Sequence, residues 1–253
     1  MYLVVKNCFN VKLHRIPNRF IVSRGEIPGF LILHLQIISI MTYSCHRWFG
    51  MIGGKNGGMY MLAVYNQCPA FENELFQIRL VDLTDASDLL NVYCDEKAVP
   101  LFNSDNCHGD TFCYRTIDRM REAIAYWIFE YEKGEFVRWS IIDKRKKEII
   151  GTIELFQRNA NDYFNACGLL RLDLRSDYEC RQSISSILSL IISDIYDLFD
   201  CQMIATKAAL AAEERKHVLK KMKFQRTDNP LIGHDGTEYY DYWVIHKNTG
   251  IED

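Results

Sequence analysis

No stretch of this chain is long and apolar enough to read as a membrane span. The longest run, Phe30 to Met41 (FLILHLQIISIM), falls short of the roughly 20 residues a span needs and carries His34 and Gln36. A basic excess is missing too, since 30 Lys plus Arg stand against 33 Asp plus Glu, a formal net charge of −3. With no surplus of cations to displace counterions from phosphates, a role coating nucleic acid is disfavoured. The pattern of a secretory signal is also lacking: the apolar stretch comes late and ends in TYSCHRWFG. Nine cysteines include no Cys-x-x-Cys pair, and their odd, scattered placement reads as reduced thiols in a cytoplasmic protein, not as a disulfide framework. Four glycines fall in the six positions Gly53 to Gly58, yet no Gly-Lys-Ser/Thr follows, so a phosphate loop is not indicated.

What is present is ordinary globular composition, 48% hydrophobic and 25% charged over 253 residues, enough for one domain with an additional segment. Residues 1–60 stand apart from the rest, with mixed basic and apolar residues and no sustained period. Gly57-Gly58 must be encoded GGN GGN, which can spell a bacterial ribosome-binding sequence shortly before the Met61 codon. The expectation is that this segment is an upstream extension from a mis-set start or disordered, the alternative being a flexible linker with an N-terminal arm. Residues 61–253 are expected to form a single domain.

Regular patterns begin near Leu75. Leu75 to Val81 alternates as a half-buried strand does, and Thr84 is placed to cap a short helix through Tyr93. Asp95 to Tyr114, rich in Asp, Asn, Gly and Cys, reads as a loop. Thr116 can cap a helix whose Met120, Ala123, Ile124, Trp127, Ile128 and Tyr131 share one face. Phe136 to Ile142 and Glu148 to Phe156 form a hairpin around the charged turn Asp143 to Lys147. Gly168 to Leu174 is a further strand. Ser183 is then placed to cap an Ile-rich helix running to Phe199. A short strand Met203 to Thr206, a helix Ala208 to Met222, a short segment Phe224 to Arg226 and a closing strand Tyr239 to Ile245 complete the order βααβββαβαββ. A central meander followed by one right-handed crossover is not the regular alternation of a doubly wound nucleotide fold.

With IRLVDLTDASDLLNVY, the hairpin WSIIDKRKKEIIGTIELF, the strand and turn GLLRLDLRSDYECRQS and the segment ERKHVLKKMKF, the chain resembles the GNAT superfamily of N-acetyltransferases. The likeness is to the branch of Rim-type ribosomal-protein N-acetyltransferases, over about Phe76 to Ile245. It implies a mixed α/β (α+β) fold, with a mostly antiparallel sheet, two splayed parallel strands and about four helices. It also implies acetyl-CoA as co-substrate, without a metal, and a primary amine as acceptor. That amine is a protein N-terminus or a small polyamine- or aminoglycoside-like compound, and the enzyme is a monomer or homodimer.

Each implied part has a physical reason. A diphosphate wants backbone N–H donors and the positive end of a helix, which the turn Arg175 to Ser183 offers, with Arg181, Gln182 and Ser183 as donors. No glycine lies between Arg175 and Ser183, where the family's loop has them. Leu172, Asp173 and Leu174 match the strand that offers main-chain groups to the pantetheine arm and the thioester carbonyl. Acyl transfer to an amine needs a route for its proton and a donor for the departing thiolate. The family's helix tyrosine is replaced by Leu219, and its helix Asn and Ser by Ala212 and Arg215. Substitutes for the missing groups are Glu154, in a strand where members line the acceptor cleft, and Tyr239 or Tyr240. Asp105 and Asp110, in the loop matching the segment that covers the acceptor, are expected to attract a cationic amine. Cys107, His108 and Cys113 lack a second pair at ligand spacing, so no metal site is expected; His234 reads as a turn residue. The rival class is a non-catalytic acyl-CoA-binding or interaction module, consistent with the missing tyrosine and glycines.

Overall fold

The computed structural model describes residues 62–247, together with the backbone of two earlier strands. The chain divides into two units, Met1–Lys55 and Asn56–Asp253. In the first, β1 (Leu13–Ile16) and β2 (Arg19–Val22) pair antiparallel, with Leu13 opposite Val22. The expectation of a disordered or mistranslated extension otherwise concerns positions outside the described residues.

The second unit is built on an eight-stranded sheet. Its strands are β3 (Phe71–Glu72), β4 (Phe76–Leu80), β5 (Val137–Asp143), β6 (Glu148–Arg158), β7 (Cys167–Leu174), β8 (Met203–Lys207), β9 (Gln225–Arg226) and β12 (Tyr242–His246), in the order β3-β4-β5-β6-β7-β8-β12-β9. A small separate ribbon pairs β10 (Leu231–Ile232) with β11 (Glu238–Tyr239). Every pairing in the large sheet is antiparallel except β7 with β8. The helices are α1 (Ala63–Asn66), α2 (Ala86–Tyr93), α3 (Ile117–Lys133), α4 (Arg181–Leu188), α5 (Ile192–Leu198) and α6 (Glu213–Lys221). No helix among the described residues is long and apolar enough to cross a membrane.

Strand alternation sends two different sets of side chains to the two faces. Ile78, Trp139, Ile153, Leu170, Leu172 and Leu174 pack in one core with Ile184, Ile187, Ile195, Val218 and Leu219 of α4, α5 and α6. That core reaches back before Leu75, because Val64 of α1 is fully buried in it and the Trp139 indole donates to the Pro69 carbonyl at 3.0 Å. On the opposite face, Leu89, Val92 and Tyr93 of α2 meet Met120, Ile124 and Trp127 of α3. Here α3 begins as expected, with Thr116 Oγ1 accepting from the Arg119 N–H at 3.3 Å, and ends where Gly134 adopts φ 79°, a left-handed turn suited to glycine.

Four local expectations are corrected. The helix expected from Ser183 to Phe199 is broken, since Ile191 at φ −126° leaves the helical region between α4 and α5. Ser183 lies inside α4, and Cys180 occupies the cap position, its thiol donating to Ser183 Oγ at 3.3 Å. Asp82, not Thr84, caps the turn Leu83–Asp85 that leads into α2, its carboxylate accepting from both the N–H and the hydroxyl of Thr84. The closing strand starts at Tyr242, because Asp241 at φ 68° separates it from β11.

Candidate active site

The two parallel strands part company. Their register runs Gly168 with Ile204, Leu169 with Ala205 and Leu170 with Thr206, and there it stops, although β7 continues to Leu174. Beyond Leu170 the main-chain groups on the β8 side of β7 are therefore released from the ladder. The turn Ser176–Tyr178 follows, and α4 begins at Arg181. The gap left between the strands is lined by Leu170, Leu172, Ile184, Thr206, Arg215 and Leu219 and encloses about 10 Å³, the space of about one water. Arg215 closes it: the guanidinium Nε donates to Glu179 Oε2 at 3.0 Å, a second nitrogen makes a shorter contact to Oε1, and a third donates to the Leu101 carbonyl at 3.1 Å.

On the other face, the inward positions of five neighbouring strands carry polar groups, covered by α2, α3 and the loop 95–114. Arg138 of β5 is fully buried; it contacts Glu154 of β6 closely and lies 3.2 Å from Asp173 Oδ2. Arg171 of β7 takes the other Glu154 oxygen at 2.5 Å and donates to the Asp105 carbonyl at 2.8 Å. Tyr93 of α2 donates to Asp173 Oδ2 at 2.9 Å, and Trp127 of α3 lies 4.1 Å beneath the Arg138 guanidinium. Next in line, Lys207 holds both Asp105 oxygens at 2.7 Å, and the Tyr242 hydroxyl donates to Asp105 at 3.0 Å. Three cations thus face three carboxylates.

For Glu154, Asp173 and Tyr242 burial is the largest influence, and the neighbouring charges decide whether it prevails. For Glu154, burial would raise the pKa, but Arg138 and then Arg171 outweigh it and hold the carboxyl below its ordinary value. Asp173 is pushed up by burial, which Arg138 and Tyr93 only partly offset, and its Oδ1 has no partner among the described residues. Burial, then Asp105, raises the Tyr242 phenol.

These positions give each sequence-derived candidate a place. Leu172 lines the gap; Asp173 and Glu154 lie together on the opposite face, bridged by Arg138; Leu174 sits in the α4–α6 core. Arg181, Gln182 and Ser183 form the first turn of α4, with the Arg181 guanidinium 3.1 Å from Glu214. Glu154 has both oxygens taken by guanidiniums, and a carboxylate so held is a weak proton acceptor. Asp105 is buried on Lys207, whereas Asp110 serves its own loop, accepting from the Phe112 N–H, the Tyr114 hydroxyl and Arg119. Tyr239 is half-buried in β11, and exposed Tyr240 donates to Glu238 at 2.5 Å. Among the described residues no group of three His, Cys, Asp or Glu could hold a metal ion.

Arg138, Arg171, Lys207 and Tyr242 were missed. A signal existed for the second of them: in GLLRLDL, period-2 logic puts Arg171 on the same face as Asp173 and away from Leu170, Leu172 and Leu174.

An eight-stranded, largely antiparallel sheet whose one parallel pair splays beside a helix N-terminus is a fold that this chain shares with solved acetyltransferases, GNAT-family ones among them. Within it, the neighbours found by structure include the Rim-type ribosomal-protein branch. The ribosomal-protein-S5-alanine acetyltransferase from Vibrio fischeri superposes with TM-score 0.52 at 17% identity, over 72% of this chain and 98% of that one. RimJ from Mycobacterium smegmatis, solved with CoA-disulfide, gives 0.55 at 13% identity, over 73% and 89%. RimL, a ribosomal L7/L12 α-N-protein acetyltransferase solved with coenzyme A, gives 0.52 at 13%, over 70% and 98%. No family model matches the chain, and no curated protein matches its sequence.

Proposed function

We propose that this protein is an acyl-CoA-dependent N-acyltransferase that moves acetyl from acetyl-CoA to a primary amine, a protein N-terminus first and a polyamine- or aminoglycoside-like amine second. The observation that carries this reading is the early end of the β7–β8 ladder at Leu170 and Thr206, directly before a turn and the N-terminus of α4. Main-chain groups of Leu172 to Leu174 are then free to meet a pantetheine arm and a thioester carbonyl. The N-terminal amides of α4, with Arg181, Gln182 and Ser183, face the diphosphate. Two neighbours on the same fold were solved with CoA or its disulfide, which supports this assignment.

The acceptor would approach from the face of the polar stripe, where Asp105, Lys207 and Tyr242 lie together. Asp105 is the carboxylate best placed to meet an ammonium once Lys207 releases it, and the Tyr239 ring lies 6.0 Å from the Lys207 ammonium. Glu154 serves by orienting Arg138 and Arg171, not as the proton acceptor. The described cysteines, Cys68, Cys94, Cys107, Cys113, Cys167, Cys180 and Cys201, are all free, which fits a reducing cytoplasm.

A second reading has its own observation. With Leu219 in place of a helix tyrosine and the gap closed to about 10 Å³, the fold would also suit a non-catalytic acyl-CoA-binding module. Turnover separates the two. The full chain is expected to release free CoA thiol from acetyl-CoA only when an amine from a panel of N-terminal peptides and polyamines is added. Amine-independent background release with every member would leave the non-catalytic reading standing.

A further inference from the structure

The turn before α4 carries a carboxylate where an anion is expected to bind. Glu179 lies two residues before Arg181, and its side chain is only 8% exposed because it turns inward onto Arg215, itself 5% exposed. Both Glu179 oxygens are engaged by that one guanidinium. A second pair crosses the first in sense: Arg181 of α4 donates to Glu214 of α6 at 3.1 and 3.2 Å. Turn and α4 thus offer one carboxylate and one guanidinium, and α6 answers each with its opposite. The gap closed by Arg215 is the one at the splay.

Building on the acyl-CoA reading, we propose that Arg215 is the anion-binding residue of the cleft and that the Glu179 carboxylate is its internal stand-in ligand, displaced when the diphosphate of acyl-CoA enters. A diphosphate beside the α4 N-terminus would be repelled by an inward Glu179 and attracted by a freed Arg215. The same rotation answers both: Glu179 swings outward from a turn already bordered by exposed Cys180, and the bidentate guanidinium passes from carboxylate to phosphate oxygens. Arg215 stays tethered meanwhile by its bond to the Leu101 carbonyl. The closed form then lowers apparent affinity by the fraction of molecules whose cleft is open.

The test is calorimetric titration of the full chain with CoA. Glu179→Gln removes the competing charge and is expected to tighten CoA binding by roughly ten- to a hundredfold, the range a charge-assisted hydrogen bond commands. Glu179→Ala, which leaves room for water around the guanidinium, should shift affinity the same way and covers the case in which the glutamine variant folds poorly. Adding Arg215→Gln to Glu179→Gln should abolish the gain. Unchanged or weaker binding in both Glu179 variants, with measurable binding by the unaltered chain, would overturn the stand-in while leaving the acyl-CoA reading intact. So would a double variant that keeps the gain, since Arg215 would then be only a plug. Absence of CoA binding in every variant and in the unaltered chain would instead remove the acyl-CoA reading, and the stand-in with it.

Discussion

Glu154→Ala is expected to lower the stability of the folded domain by about 3 to 5 kcal/mol, because it leaves the buried guanidiniums of Arg138 and Arg171 without their shared counter-charge. Urea unfolding followed by fluorescence measures it. Arg138 retains Asp173, and Arg171 retains only the Asp105 carbonyl, so the second guanidinium bears most of the loss. The pH dependence has a definite sign. Glu154 titrates below its unfolded value, so its contribution is complete above the ordinary glutamate pKa and is lost as pH falls through the lowered folded value. Asp173, raised by burial, acts in the opposite direction, since protonating it on acidification relieves an unfavourable buried charge. The Glu154→Ala variant should therefore lose less stability on acidification than the unaltered protein. If Glu154 instead stood in an open cleft as a general base, its removal would change stability by no more than about 0.5 kcal/mol, the usual range for surface positions, while stopping turnover.

Gly151→Ala is the second substitution with a large expected effect, and its cause is steric. Gly151 lies in β6 opposite Leu174, beside the register shift between Ile141 and Ile142 on β5. A Cβ there would sit 2.3 Å from the Asp173 carbonyl oxygen and 2.8 Å from Leu174 Cδ2. The first of these is backbone, which cannot rotate away, so β6 and β7 must separate. A loss of about 3 kcal/mol is expected, the upper part of the range for overpacking. For a domain of this size that corresponds to a fall of roughly 6 to 12 °C in Tm. Because the strand that moves is the splayed end of β7, CoA affinity should fall as well. Unchanged melting together with unchanged CoA binding would contradict the close approach of β6 to β7 at Gly151.

The order of strands and the start of α3 were legible because they rest on local rules. Alternation in Phe76 to Leu80 and a side-chain cap at Thr116 need no knowledge of the rest of the chain. What was not legible depends on which elements cover which face. Arg138, Glu154, Arg171 and Asp173 alternate with apolar neighbours as an exposed polar face would, and only the docking of α2, α3 and the loop 95–114 turns them into a buried network. That loop itself holds Asn106, His108 and Phe112 at φ between 53° and 58°, conformations its residue types do not announce. The break between α4 and α5 was hidden for a related reason: a run of isoleucines reads as one continuous apolar face whether or not the helix stays whole. Arg215 stands out in the sequence as a departure from the pattern of the family it resembles, whereas its partner Glu179 does not, because their meeting requires α6 to lie against the turn before α4.

The most direct measurement is amide hydrogen exchange of the full chain with and without acetyl-CoA. Binding in the splay requires slower exchange in the Leu170 to Leu174 strand end and in residues 180–184 at the start of α4, with little change in the β10–β11 ribbon. Protection confined to a different surface, such as the basic groove lined by Lys216, Lys220 and Arg226, or no protection anywhere, would contradict the placement of the cofactor between β7 and β8.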